Sequence, residues 1–111
     1  MIALIRDNLD KVRELCERFH VQRLEVFGSA ADGSYREGES DLDFIVEFEP
    51  LEPLVRGDAF LGLLFALEDL FGHSIDLVTP KPVGEGNPYF WEVAQETRQV
   101  IYEQHEQEVP V

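Results

Sequence analysis

Hydrophobic and polar positions alternate with two periods along this chain, and the switches between them mark out its elements. From Ile2 to Phe19 the apolar residues Ile5, Leu9, Val12, Cys16 and Phe19 recur at three- and four-residue spacing, with Arg, Glu and Lys between them. That spacing predicts one amphipathic helix packed on a sheet. Leu24 to Phe27 reads as a short strand ended by Gly28. Asp41 to Phe48 follows the two-residue period, with Leu42, Phe44, Val46 and Phe48 on one face and Asp41 and Asp43 opening the other. Pro50 and Pro53 break the chain, and a loop through Gly57 leads to Asp58, the expected cap of a helix over Ala59 to Phe71 that Gly72 would stop. Phe60, Leu63, Leu64, Leu67 and Phe71 form one stripe of it, while Leu61 and Phe65 lie away from that stripe. So wide an apolar surface implies two burial partners: the sheet, and either another chain or a second layer of the same domain.

Ile75 to Thr79 is expected to be a third strand, interrupted by Asp76. After the loop "PKPVGEGNP", Asn87 and Pro88 look like the cap and first position of a helix carrying Tyr89, Phe90, Trp91 and Val93. The aromatics there are expected in the core rather than stacked on a base. "RQVIYE" fits either a last short strand or the tail of that helix. Together these elements predict an α+β fold: a small mixed sheet with helices packed on one face. With 111 residues, one domain over 1–104 is expected, followed by a frayed acidic tail at 105–111.

Charge changes the picture of partners. Nine Lys and Arg against 23 Asp and Glu give a formal net charge of −14, which repels polyanions, so direct nucleic-acid binding is not expected. A basic protein or divalent cations suit such a surface better. Cys16 stands alone, so an internal disulfide and a thiolate metal cluster are excluded, and its place in the helical stripe makes it a core thiol. Neither a leader nor a membrane-length apolar run is evident, so a cytoplasmic protein is expected.

Candidate chemistry gathers at three places. Asp41 and Asp43, two apart on a strand, point the same way about 7 Å apart at Cα. Converging carboxylates repel unless a cation lies between them, and a hard ion such as Mg²⁺ accepts a few carboxylate oxygens and completes its shell with water and phosphate. Asp76, in the middle of an apolar strand, is costly unless paired or coordinated. Were its strand to lie beside Asp41 to Phe48, three carboxylates could hold two metals roughly 3.5 to 4 Å apart, as phosphoryl-type displacement needs. Gly28 and Ser29 supply a close backbone approach, N–H groups and a hydroxyl for phosphate. Glu25 and Glu47 share the acids' parity and could border the site or lie exposed, while His73 reads as a turn residue.

"GSAADGSYREGESDLDF" resembles the Gly-Ser…Asp-x-Asp signature of the DNA polymerase β-like nucleotidyltransferase superfamily. The short chain is most similar to its minimal, MNT-type branch, often antitoxins beside HEPN toxins. The resemblance implies that Gly28 and Ser29 hold nucleotide phosphates and that Asp41 and Asp43 bind two Mg²⁺ ions. Asp76 would be the third metal ligand and help remove the acceptor's proton. The implied reaction moves AMP from ATP to a hydroxyl, a tyrosine of the HEPN toxin foremost. One departure stands out: Ala31-Asp32-Gly33 occupies a run where many minimal members carry Ala-Arg-Gly, and Arg36 is the candidate to restore the lost positive charge. Two other readings stay open, a binding module that occludes its toxin with an idle metal site, and the catalytic subunit of a two-component small-molecule enzyme. The helix at 59–71 is the expected surface for self-association or for a partner.

Overall fold

A computed structural model of the chain describes residues 2–32, 41–80 and 98–104, apart from the side chains of Ser29 and Asp32. Along it run α1 (Ala3–Arg6), α2 (Leu9–Arg18), β1 (Val21–Phe27), α3 (Ser29–Asp32), β2 (Leu42–Phe48), α4 (Pro53–Phe71), β3 (Ile75–Val78) and β4 (Gln99–Glu103). The strands form one sheet in the order β3-β2-β1-β4. β1 pairs antiparallel with β2 and β4, whereas β2 and β3, joined through α4, are parallel. The mixed sheet and helices give the α+β fold expected from the sequence.

The two-residue period of the strands sorts their side chains between two faces. Leu24 and Val26 of β1, Leu42, Phe44 and Val46 of β2 and Leu77 of β3 are buried in one core cluster with Val12 and Cys16 of α2 and Leu63, Leu67 and Phe71 of α4. Phe44 and Phe71 stack with ring centroids 6.2 Å apart. A fully buried side chain of this size stabilises the fold by roughly 1.5–3 kcal/mol. The two long helices therefore cover the same face. They meet closely, since a Cβ on Gly62 of α4 would come within 2.5 Å of the Phe19 ring. The opposite face carries Asp43, Asp76, Glu25 and Arg23.

Three elements differ from the sequence reading. The first helix is interrupted at Asp7 and Asn8, where the Asn8 N–H turns to the Ile5 carbonyl (3.0 Å) and its side-chain amide donates to the Leu4 carbonyl (2.7 Å). An Asn side chain that satisfies local carbonyls competes with the helical ladder. α4 begins at Pro53, not at Ala59, so Asp58 lies inside the helix and caps nothing. Pro53 occupies the first turn, where its missing N–H costs no bond and its fixed φ favours the helix. "RQVIYE" resolves as strand β4. Gly72, with φ +66°, ends α4 as expected, and Cys16 is fully buried. The expected helix after Asn87 and Pro88, with Tyr89, Phe90, Trp91 and Val93, lies outside the described residues, as do Gly33, Arg36 and the 105–111 tail.

Candidate functional site

Topology brings three strand ends to one place. β2 and β3 are parallel and start at the same edge, and β1, antiparallel to β2, finishes there. The register pairs Phe27 with Asp43 and Asp43 with Asp76, so the last residue of β1 and the two acids stand side by side on the face away from the helices. Beside them on the same face, Phe27 and Ile45 are buried and packed with the half-buried Val78, giving the carboxylates apolar neighbours.

That setting has an electrostatic consequence. Burial first, then the charges of Asp76 and Asp41 and a hydrogen bond with the Asp76 side chain, push the Asp43 carboxyl up from its usual 3.8 to about 7. A protonated Asp43 donating to Asp76 relieves the repulsion between two carboxylates that share a site. Asp41 sits just before β2, exposed, and acts on Asp43 through its field. The site is thus a cross-strand pair, Asp43 and Asp76, with Asp41 at its outer rim.

Gly28 follows β1 directly and has φ +72°, a left-handed conformation that side chains disfavour. A Cβ at this position would lie 2.8 Å from Asp43 Oδ2, so only glycine lets the turn pass so near the carboxylate. The Ala31 N–H donates to the Gly28 carbonyl (3.0 Å), closing the turn into α3, which begins at Ser29. The Gly-Ser turn thus lies directly against one acid of the pair, Asp43.

Of the flanking acids, Glu47 is exposed, while Glu25 is only 6% exposed and on the same face as Asp43. Glu25 does not reach out as a ligand. Arg23 Nε lies 3.3 Å from one of its oxygens and Arg98 Nε 3.2 Å from the other, and Arg23 also bonds Glu103 on β4 (3.3 Å). Arg98 was missed in the sequence because its partner lies on a strand distant along the chain. Cys16, whose thiol burial and the Glu17 charge push up to about 12, is chemically inert. His73, just after α4, is half-buried, as suits a turn residue.

Among the described residues no group of three or more His, Cys, Asp or Glu side chains is arranged to hold a metal ion. The donor chemistry nonetheless fits a hard divalent cation. Asp43 and Asp76 offer oxygens only, a proton shared between them relieves their mutual repulsion, and a cation would displace that proton and take over its role.

A mixed sheet with helices on one face, and an acid pair against a Gly-Ser turn on the other, defines a phosphate-handling enzyme domain. The chain belongs to the nucleotidyltransferase domain family, which residues 9–102 match. It is 39% identical over 74 residues to the protein adenylyltransferase MntA of Thermococcus cleftensis, a match that covers 67% of this chain and 71% of that protein. A solved minimal nucleotidyltransferase is 34% identical, with TM-score 0.60 over 88% of this chain and 95% of that one. A toxin-antitoxin crystal structure with AMP-PNP shares the fold, at TM-score 0.62 and 19% identity over 88% of this chain and 75% of that one. The resemblance read from the Gly-Ser and Asp-x-Asp signature is borne out, and the protein is an enzyme of the nucleotidyltransferase class. No helix among the described residues is long and apolar enough to cross a membrane.

Proposed function

We propose that this protein is an antitoxin that transfers AMP from ATP to a hydroxyl, foremost a tyrosine, of a HEPN-type toxin. The observation that carries the reading is the Gly28 backbone pressed against Asp43, which is paired across the strand with Asp76. The similar Thermococcus protein is named as a protein adenylyltransferase, and the toxin-antitoxin structure of like fold holds AMP-PNP; both support it.

In this reading Asp41, Asp43 and Asp76 hold Mg²⁺, two ions when the site is full, and the bound cations supply charge neutralisation for the triphosphate and the departing pyrophosphate. Gly28 and Ser29 receive the β and γ phosphates on backbone N–H groups and a hydroxyl. The acceptor oxygen attacks the α-phosphorus, the bond to the β-phosphate oxygen breaks, and pyrophosphate leaves. Asp76, exposed at the rim, takes the hydroxyl proton. The buried Phe27 and Ile45 exclude water from one flank of the acids. Arg36 is assigned the phosphate contact that Asp32 cannot make.

The test is the intact mass of a HEPN-type toxin co-expressed with this protein, after incubation with the protein, ATP and Mg²⁺. A gain of whole AMP units that the Asp41→Asn/Asp43→Asn variant fails to produce, although it still binds the toxin, is the expected result. An unmodified toxin in a stable complex would sink the transfer reading. It would favour neutralisation by binding alone, a second reading that the exposed Leu61 and Phe65 support.

A further inference from the structure

Among the described residues, the outer side of α4 stays apolar. The helix is 19 residues long, about 28 Å. Ala59, Leu63, Leu67 and Phe71 are buried toward the sheet, yet Leu54 (85%), Leu61 (50%) and Phe65 (60%) are exposed. These three, with the exposed Asp58 and Asp69, recur at intervals of three and four residues, so they form a single outward stripe. Two carboxylates stand among its three apolar side chains, and no described residue covers it.

We propose that this stripe is the docking surface for an amphipathic helix of the protein substrate, one whose apolar face is flanked by lysine or arginine. The proposal rests on the reading above that the acceptor is a protein. Three arguments select this occupant. Large side chains at helical spacing on a rigid helix are the anchors of helix-in-groove and helix-on-helix recognition. Asp58 and Asp69 within the stripe, on a chain of net charge −14, favour a basic partner and make a second copy of this acidic chain a poor one. Placement gives the third. The stripe lies on the far side of α4 from the sheet, and the acid pair on the far face of that sheet. Docking is thereby separated from the reacting groups, so the contact raises the local concentration of acceptor without altering the chemistry.

Dissociation constants for the HEPN-type toxin used in the test above, and its AMP-transfer kinetics, should be measured on the full chain. Leu61→Asp/Phe65→Asp is expected to weaken binding by about 10²-fold, the loss of two anchors, and to raise KM for the toxin correspondingly with kcat unchanged. Asp58→Lys/Asp69→Lys, which leaves the apolar residues in place, is expected to weaken binding several-fold and to reduce its salt dependence. A melting curve like that of the parent excludes misfolding for each. Unchanged affinity in both variants would overturn the proposal. So would a parent that is dimeric alone and made monomeric by Leu61→Asp/Phe65→Asp, which would assign the stripe to self-association. Tight binding without any AMP transfer, lost on Leu61→Asp/Phe65→Asp, would support the docking surface while refuting the transfer reaction.

Discussion

Asp43 and Phe44 are neighbours in the chain, yet they face opposite ways across one strand into unlike surroundings. Phe44 enters a core closed by α2 and α4, with the Phe71 ring 6.2 Å away. Asp43 faces Asp76 beside the buried Phe27 and Ile45, and burial together with the charges of Asp76 and Asp41 raises its pKa to about 7. One side of the sheet stores the stability of the domain, and the other spends part of it holding like charges together. The separation depends on strand register, since a slip of one residue would send the acids into the core and the phenylalanine out.

The contrast can be broken most severely on the helix side. Phe44→Ala should cost about 3–5 kcal/mol, read by urea or thermal unfolding, because the helices cannot collapse onto the lost ring. Gly28→Ala should leave the core intact and damage the site instead. Its left-handed φ and the 2.8 Å approach force either the turn or Asp43 to move, and a displacement of about 1 Å costs on the order of 10²-fold in rate. Transfer assays should show that loss, with a melting point lowered by only a few degrees. A third effect is a pH slope in the metal-free protein. Because Asp43 titrates near 7 when folded and near 4 when unfolded, the folded state binds more protons between those values. Stability should therefore fall as pH rises from about 4 to about 7 and level off above that. Unfolding curves of Asp43→Asn should lack the slope, and Mg²⁺ should flatten it in the parent. A parent with no slope would mean that Asp43 is not held near its partner.

Much of this division was legible in the sequence. The alternation of Leu42, Phe44 and Val46 against Asp43 announced a strand with two unlike faces, and Gly28-Ser29 announced the turn beside it. What the spacing could not convey was which acids meet. Asp41 and Asp43 share a side of the chain, but Asp41 falls before the strand begins, and the close pair is Asp43 with Asp76, made by parallel pairing of distant segments. The same limit hid Arg98 beside Glu25. Local competition accounts for the helix boundaries: Asn8 diverts its own backbone into a turn, and Pro53, a breaker within helices, is a starter at their first turn.

The parallel pairing of β2 with β3 also governs when the protein acquires its chemistry. Asp43 and Asp76 cannot meet until α4 has been synthesised and has carried the chain back to the starting edge of the sheet, a contact of long sequence separation. β1 and β2 can zip together earlier, on apolar contacts alone. On a ribosome the repulsive pair therefore closes late, and a truncated chain ending before Ile75 carries the Gly-Ser turn without the second acid.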